Sequence, residues 1–382
     1  MVRLGRVSPS GVAVAAVLAV AATGLVACGG DDARSEDRTT PTQASASANE
    51  AFAGTNASPP KDGPAAQRGK DVWVISCGEA LESCSVPTAS AREAADVIGW
   101  DVTVFDGKLD PATYNAGIRE ALAAGADGIV LNTIDCPLVR GALQEARRAG
   151  VPVVALYTQA CDDDKKLFTS VGYGASGTTD YPAYVEAWAT AKADWLSYAT
   201  DGKAKIIDFA QTDLPTTQLI EEGFRKGVAN ACGGCEIVAT VEFTSADIGP
   251  RLQQRTEQAI LKHPDANAVH APHDSAMTLG IGPGIQASGR GGELAVIGGE
   301  GFPSNIELIR EGIQQDAVNA LPNEWVGFAS IDTLNRLFAG GGPVPQGLGW
   351  QLVDADHNMP EAGPYEPDVD FRAAYERVWS GE

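Results

Sequence analysis

The sequence predicts an α/β protein with two doubly wound lobes, in which each parallel sheet is covered by helices on both faces. From about residue 70, apolar runs of strand length alternate with segments that carry apolar side chains every three or four residues. Uninterrupted apolar strands between amphipathic helices indicate parallel sheets that are buried on both faces. The pattern restarts after Thr200-Asp201-Gly202, which predicts a second lobe of similar build.

Four strands and at least two helices are predicted in the first lobe. The apolar runs cover residues 72–75, 102–105, 128–131 and 151–156. Apolar residues four positions apart predict helices around residues 114–122 and 138–146. Gly125 and Gly150 follow these helices, where glycine commonly ends a helix in a left-handed conformation.

The second lobe repeats the alternation. Its predicted strands cover residues 205–209, 237–241, 268–271 and 294–297, and its predicted helices cover 218–230, 251–262, 274–286 and 304–311. Ligands of doubly wound sheets bind outside the carboxyl ends of the strands. If the two lobes face each other, that region is the cleft between them, so we expect the ligand there.

The amino-terminal residues are typical of an export signal. Arg3 and Arg6 precede an uncharged, mostly apolar run over residues 11–27, which is short for a membrane span and suits a signal peptide. The run ends in Leu25-Val26-Ala27-Cys28-Gly29, which resembles the bacterial lipobox. We therefore expect a signal peptide at 1–27, a lipid anchor on Cys28 and a location on the outer face of the bacterial cell membrane. The alternative is a generic secretory signal with an incidental cysteine.

Composition excludes some partners and predicts a tether. The chain has 382 residues, 44% of them hydrophobic, which is enough for a sizeable core, and a net charge of −22. Such an acidic chain lacks the basic face that nucleic acids require. Residues 28–69 are polar, rich in small residues and without apolar periodicity, so the sequence predicts a lipidated cysteine followed by a disordered tether.

Six cysteines remain when Cys28 is set aside, and an even number in an exported chain predicts three disulfides. Fifteen connectivities are possible. Proximity favours Cys77–Cys84 and Cys232–Cys235, which leaves Cys136–Cys161, whose members follow two strands expected to be neighbours. The Cys232-Gly-Gly-Cys235 spacing also occurs in redox motifs, and a zinc site from the other four cysteines is a further alternative.

Motifs of enzymes and cofactors are absent from the sequence. No G-x-S-x-G or phosphate-binding G-x-x-x-x-G-K-[ST] segment is present, and the glycines at 280–284 do not follow a first strand. His270 and His273 could form part of a metal site, but no third ligand accompanies them. We therefore predict a protein that is not an enzyme and that has no cofactor or metal.

Several segments follow one another in a characteristic order along the chain, namely residues 123–132, 149–156, 222–224, 263–269, 273–277 and 296–300. In this order they resemble the ribose/galactose/xylose-binding branch of the type I periplasmic binding proteins. In the first lobe, residues 123–132 read AAGADGIVLN and residues 149–156 read AGVPVVAL. In the second, residues 222–224 read EGF, 263–269 HPDANAV, 273–277 HDSAM and 296–300 VIGGE, and Leu321-Pro322 matches a crossing strand at the hinge. The resemblance covers about residues 70–355.

This resemblance implies a monomeric solute-binding lipoprotein that delivers a small polar solute, such as a sugar or polyol, to an ABC permease. A sensory lipoprotein that presents its ligand to a membrane receptor is the alternative. The fold implies two lobes joined by a three-strand hinge. The expected first lobe is 70–174 plus 321–346, the second is 175–320 plus 347–360, and 361–382 is an extension with a short helix at 371–379.

The expected binding residues depart from the family pattern. Tyr157-Thr158 replaces an Asp-Arg pair that grips sugar hydroxyls, His273 replaces an Asn, and Glu300 replaces an Asp. These departures favour a neutral or cationic ligand over an anionic one. The resemblance implies ligand contacts from Glu79, Asn132, Asp135, Tyr157, Thr158, Asp213, Gln218, His273, Asp274, Glu300 and Trp325.

Some of these residues have a structural alternative. Asp135 and Asp274 are each placed to cap a helix, as a side-chain oxygen at a helix start commonly does. Tyr157 could form a buried wall of the cleft. Trp325 could stack on a sugar face or pack between the lobes.

Overall fold

A computed structural model describes residues 43–161, 166–175 and 177–381 of the chain. The helices are α1 Gln43–Ala53, α2 Glu82–Ile98, α3 Pro111–Ala124, α4 Cys136–Ala149, α5 Tyr181–Ala199, α6 Pro215–Ala231, α7 Pro250–Lys262, α8 Asp274–Ala276, α9 Gly282–Ala287, α10 Pro303–Glu311, α11 Trp325–Phe338 and α12 Phe371–Ser380. The strands are β1 Asp71–Ser76, β2 Asp101–Asp106, β3 Gly128–Asn132, β4 Val153–Leu156, β5 Thr169–Ser170, β6 Gly172–Tyr173, β7 Lys205–Gln211, β8 Glu236–Phe243, β9 Ala268–His270, β10 Ala295–Ile297, β11 Ala317–Ala320, β12 Pro345–Leu348 and β13 Gln351–Asp354.

Two doubly wound sheets form the centres of the two lobes. The first has the order β2-β1-β3-β4-β5 and is parallel throughout. The second has the order β13-β11-β10-β9-β7-β8, and β13 is its antiparallel strand. Strands β3 and β4 are buried at every residue, as continuous apolar runs predict. The α/β fold class predicted from the sequence is thereby confirmed.

Local sequence explains where many helices begin and end. Helices α3, α4, α6, α7 and α10 each carry a proline in their first turn, where a missing amide hydrogen is harmless. Helices α3 and α4 end at Gly125 and Gly150, both left-handed, as the sequence predicts.

The chain passes between the lobes three times. It leaves the first lobe after β6 to form α5, and it returns after β11 to form α11, which packs on α2. It crosses again between β12, which pairs with β6, and β13, which pairs with β11. The extension ends in α12, which packs on α2 and α11 of the first lobe. The expected boundaries at 174, 320 and 346 lie close to these crossings.

The segment before β1 differs from the expected tether, because residues 43–69 pack on the folded chain. Helix α1 contacts α5 and β13, and Ala48, Ala51 and Phe52 are buried. The Asn56 side-chain oxygen accepts a hydrogen bond from the Gly349 amide at 3.0 Å. The disordered-tether prediction is therefore wrong for residues 43–69, since a few apolar side chains find a groove that only the folded lobes provide. Residues 1–42, which include Cys28, lie outside the described part.

Three disulfides are present, Cys77–Cys84, Cys136–Cys161 and Cys232–Cys235, which is the pairing that proximity favours in the sequence. The first joins the end of β1 to the first turn of α2. Among the described residues, no helix has both the length and the apolar character needed to cross a membrane.

Candidate functional site

The cleft between the lobes contains two adjoining cavities at the carboxyl ends of the strands. The larger, the main chamber, has a volume of about 120 Å³, and the smaller, the aromatic chamber, has about 60 Å³. Both are far smaller than the roughly 300–1,000 Å³ of sites for drug-sized ligands. The two chambers share the lining residues Ser83, Thr133, Thr216, Ile220 and Glu300. The site therefore suits a small molecule.

Glu300 is the acidic residue that lines both chambers, and it follows strand β10. One carboxylate oxygen accepts a hydrogen bond from the Asp274 amide at 2.8 Å. Burial, reinforced by the charge of Asp274, raises the pKa of Glu300 to about 8, although Lys192 opposes the shift. With a pKa near neutral pH, the protonation state of Glu300 therefore depends on the charge of the ligand group that lies beside it.

Asp274 anchors the loop that carries Glu300. Its two carboxylate oxygens accept hydrogen bonds from the amides of Gly299 at 2.7 Å, Gly301 at 2.6 Å and Phe302 at 3.0 Å. Burial nevertheless raises the pKa of Asp274 to about 6. The side chain holds the loop after β10 and does not line either chamber, so Asp274 orients Glu300 from behind.

Lys192 of α5 is a fully buried ammonium group beneath the loop that contains His273. It donates to the carbonyl oxygen of Pro272 at 2.9 Å and lies 3.9 Å from the ring centre of Trp188. Burial lowers the pKa of Lys192 to about 8, against the opposing charges of Glu300 and Asp274. The Lys192 ammonium therefore compensates part of the negative charge of Glu300 and Asp274.

His273 is a neutral member of the main chamber. Its Nδ1 accepts the Ala276 amide hydrogen at 3.2 Å, which leaves Nε2 as the donor to the Gln211 side-chain oxygen at 2.6 Å. Burial, and then the charge of Lys192, lowers the pKa of His273 to about 4. The ring and Gln211 thus present a fixed, uncharged polar edge.

Thr133 and Tyr157 line the aromatic chamber from equivalent positions, directly after β3 and β4. Both have left-handed backbones, with φ of 55° and 49°, and such strain in a side-chain-bearing residue is commonly kept at functional sites. The Tyr157 amide donates to the Tyr173 hydroxyl at 2.7 Å. Its own hydroxyl is buried without a hydrogen-bond partner among the described residues. A ligand could supply that partner.

Acidic side chains of the first lobe bind the amino-terminal ends of two second-lobe helices. Asp135 accepts hydrogen bonds from the Thr216 amide at 2.9 Å and hydroxyl at 2.6 Å, in the first turn of α6. Glu82 accepts from the amide and hydroxyl of Ser304, in the first turn of α10. The positive end of a helix dipole favours such carboxylates. These contacts hold the lobes together on two sides of the cavity.

Not every expected residue reaches the cavity. Asp135, Tyr157, His273 and Glu300 line it. Asn132 is fully buried and donates to Cys84 and Thr88, and the Thr158 hydroxyl donates to Leu156. Asp213 and Gln218 are exposed; Asp213 accepts from Gln211 and from the Ser245 amide, and Gln218 donates to the Thr212 carbonyl. Neither chamber is lined by the six other expected residues Glu79, Asn132, Thr158, Asp213, Gln218 and Asp274.

Trp325 also lies away from the cleft. Its ring is fully buried, stacks on Phe371 of α12 and donates its indole hydrogen to Tyr375 at 3.0 Å. The expectation that it contacts a ligand is wrong in this structure, because the carboxyl-terminal extension covers it.

Sequence reasoning missed most of the aromatic chamber. Tyr181, Tyr184 and Trp188 line it from α5, and Lys192 lies one turn further along the same helix. A lysine in register with an apolar helix face was the available signal, since an unpaired buried ammonium is costly. Ser83, Thr133 and Thr216 were also missed, and their sequence surroundings carry no comparable signal.

One group of described residues has the chemistry to hold a metal ion, namely Asp208, Glu221 and His270. One Asp208 carboxylate oxygen is hydrogen-bonded to His270 Nδ1 at 2.8 Å. The other forms an ion pair with the Arg225 guanidinium at 3.0 Å. Arg225 pairs with Glu221 as well. The guanidinium supplies positive charge to both carboxylates, so this group is a charge network in which Asp208 and His270 are buried and Arg225 is partly exposed.

Comparison with known proteins identifies the family. The model of the periplasmic binding protein domain matches residues 85–342, about two thirds of the chain. The chain belongs to this periplasmic binding protein family. The ribose import binding protein RbsB of Escherichia coli (strain K12) is 25% identical over 252 residues, which cover 65% of this chain and 78% of that protein.

Solved structures of periplasmic binding proteins show the same fold. The periplasmic binding protein component of the arabinose ABC transporter from Shewanella sp. ANA-3 has a TM-score of 0.63 at 18% identity, covering 81% of this chain and 95% of that one. GanP, a glucose-galactose binding protein from Geobacillus stearothermophilus, has a TM-score of 0.63 at 18% identity, covering 75% and 98%. The cleft between the lobes is thus the cleft of a periplasmic binding protein fold.

Proposed function

We propose that this protein is an extracytoplasmic substrate-binding lipoprotein that captures a small sugar or sugar-like polyol between its lobes and delivers it to an ABC importer. The observation that carries the proposal is the cavity between the lobes at the carboxyl ends of the strands. Its polar groups, Glu300, His273 and Gln211, come from the second lobe, and Thr133 and Ser83 come from the first. Ribose, arabinose and glucose-galactose in the names of similar proteins support a sugar.

The proposed ligand contacts are the residues that line the chambers. Glu300 accepts hydrogen bonds from the ligand, and Tyr157 donates its unpartnered hydroxyl. The rings of Tyr181, Tyr184 and Trp188 pack against apolar faces of the ligand, as aromatic side chains do with sugars. Asn132, Thr158, Asp213 and Gln218 support the loops around the cavity.

A thermal-shift screen of monosaccharides and polyols on the purified protein tests this function. A ligand that binds the folded chain raises the melting temperature by mass action. Calorimetry then compares wild type with Glu300→Gln and with Glu222→Gln, an exposed control on α6. Where the ligand binds the ionised Glu300 carboxylate, loss of that charge-assisted hydrogen bond weakens binding by about tenfold to a hundredfold. An unchanged affinity in Glu300→Gln would show that this residue does not contact the ligand.

Membrane attachment through Cys28 is the second part of the proposal. Cys28→Ser removes the sulfur that receives lipid, so the protein should leave the membrane fraction or keep its signal peptide. Unchanged processing and membrane retention would contradict lipid anchoring. Loss of uptake of the ligand found in the screen, in cells that lack the protein, would distinguish import from a purely sensory role.

A further inference from the structure

The charged groups of the cleft are unequal in number. Asp135 and Glu300 are the carboxylates that line the chambers, and Asp274 lies directly behind Glu300. No lysine or arginine of the described ranges lines either chamber. Lys192 is the ammonium group behind this wall, and it is shared between Glu300 and Asp274. Three carboxyl groups thus lie at this wall with one ammonium group behind it, and a buried carboxylate without a compensating charge is costly, so the wall favours a cationic group on the ligand.

Beside this carboxylate, the aromatic chamber offers ring faces. Tyr157, Tyr181, Tyr184, Trp188 and Phe302 line a space of about 60 Å³ together with Glu300. The faces of such rings carry partial negative charge and attract ammonium groups, most strongly where water is excluded. One such cation–π contact is present beside the chamber, where the Lys192 ammonium lies 3.9 Å from the ring centre of Trp188.

We propose that the solute carries a protonated amine on its polyhydroxyl frame, and that this ammonium group lies between Glu300 and the rings of the aromatic chamber. The proposal rests on the proposed function and narrows it to amino sugars and amino polyols. Hydroxyl groups of the same ligand meet the polar edge of Gln211 and His273 in the main chamber. An anionic sugar is excluded, because it would face Asp135 and Glu300 without a cation.

Binding of an ammonium group has a proton signature. The groups that face Glu300 are Asp274 of α8, Lys192 of α5 and Tyr157 after β4. Because the pKa of Glu300 is raised to about 8, its carboxyl group is largely protonated at pH 7 in the empty cleft. An arriving ammonium favours the carboxylate, so a proton leaves to solvent. A neutral sugar requires no such release.

Matched pairs of probes test the proposal on the purified protein. Each pair differs only by an amine in place of a hydroxyl: D-glucosamine with D-glucose, D-galactosamine with D-galactose, and serinol with glycerol. Calorimetry in two buffers of different ionisation enthalpy gives affinity and proton release together. We expect at least one amine to bind tenfold or more tightly than its partner and to release a proton from wild-type protein.

Variants assign the effect to Glu300. Glu300→Gln should remove both the preference for the amine and the proton release, and Glu222→Gln should retain both. If the neutral member of every pair binds as tightly as the amine or more tightly, the ammonium preference is wrong while the sugar-binding function stands. If no member of any pair binds, the ammonium preference is wrong, and the thermal-shift screen of neutral sugars and polyols decides the sugar-binding function separately. Proton release is measured on wild-type protein, so a poorly folded variant does not prevent the decision.

Discussion

Glu300 accepts a hydrogen bond from the protein backbone and also faces the ligand cavity. One oxygen binds the Asp274 amide, and the side chain lines both chambers. Asp274 in turn accepts hydrogen bonds from three backbone amides of the loop, which holds the loop and with it Glu300 in place. The protonation state of Glu300 can still change, because few positive charges lie near its carboxyl group.

The pH dependence of stability follows from this raised pKa. Between about pH 4.5 and 8 the folded chain retains the Glu300 proton and the unfolded chain does not, so Glu300 lowers stability as pH rises through this window. His273 acts in the opposite sense between about pH 4 and 6.5, since its pKa is lowered. We therefore expect the difference in unfolding free energy between Glu300→Gln and wild type to grow in favour of the variant from pH 6.5 to pH 8.

Urea unfolding at both pH values measures this difference. Glu221, whose pKa is raised to about 7, titrates in the same window but is present in both proteins and cancels. A difference that is constant with pH would show that Glu300 is already ionised in the folded chain.

At the scale of elements, the loop between β1 and α2 forms one wall of the main chamber and is closed by a disulfide. Cys77 and Cys84 both line that chamber, with Leu81 and Ser83 between them. The Cys232–Cys235 disulfide follows α6 at the opposite end from its cleft-facing first turn. One disulfide therefore constrains a wall of the binding site, and the other constrains a loop away from the site, so the second serves as a control for the first.

Replacing Cys77 and Cys84 by serine should weaken ligand binding by about twofold to tenfold, because the loop must then be ordered on binding. The matched pair of changes at Cys232 and Cys235 should leave affinity unchanged. Calorimetry with the tightest ligand of the screen measures both. Equal losses in the two double variants would mean that the loop is held without its disulfide.

Helix α1 shows that an element of weak sequence character can belong to the fold. Phe52 packs in the groove formed with β13 and α5 and stacks on His357 with ring centres 4.0 Å apart. The small residues around Phe52 and the short apolar face of Ala48, Ala51 and Phe52 do not by themselves predict a helix here.

Phe52→Ala should lower the unfolding free energy by about 3 kcal/mol, as expected for loss of a buried phenylalanine. Asn49→Ala, on the exposed face of the same helix, should change it by less than about 0.5 kcal/mol. Chemical denaturation measures both variants. Wild-type stability in Phe52→Ala would restore the tether interpretation for this segment.

At the scale of the whole molecule, closure depends on contacts that a single lobe cannot make. Asp135 and Glu82 each bind the first turn of a helix in the other lobe, and the Ser83 and Ser275 hydroxyls lie 3.1 Å apart across the cleft. Because the Glu82–Ser304 contact lies outside both chambers, it affects closure without touching the ligand.

Ser304→Ala should therefore favour the open form. We expect a larger radius of gyration without ligand in small-angle scattering, and an affinity reduced by about twofold to tenfold, because ligand binding must then stabilise closure alone. Ser380→Ala, whose hydroxyl bonds only Arg377 in the exposed end of α12, is the control. Unchanged radius and affinity in Ser304→Ala would show that this contact does not hold the lobes.

Sequence alone determined the features that depend on local periodicity and chain order. Buried strands need uninterrupted apolar runs, and helix ends need residues such as Gly125 and Gly150, so the two-lobed α/β fold could be predicted. The family resemblance implied that Glu300, His273, Tyr157 and Asp135 lie at the cleft, in agreement with the rule that ligands bind beyond strand ends.

The tertiary structure decided which side chains face the cavity and which groups share its charge. Asn132 and Trp325 were expected at the ligand but satisfy buried partners, Cys84 and Tyr375, that lie 48 and 50 residues away in sequence. The aromatic residues of α5 line the cleft, with Lys192 behind them, because α5 packs on β10 and β11 of the second sheet. Such placement depends on packing between segments that are distant in the sequence, so the local pattern does not determine it.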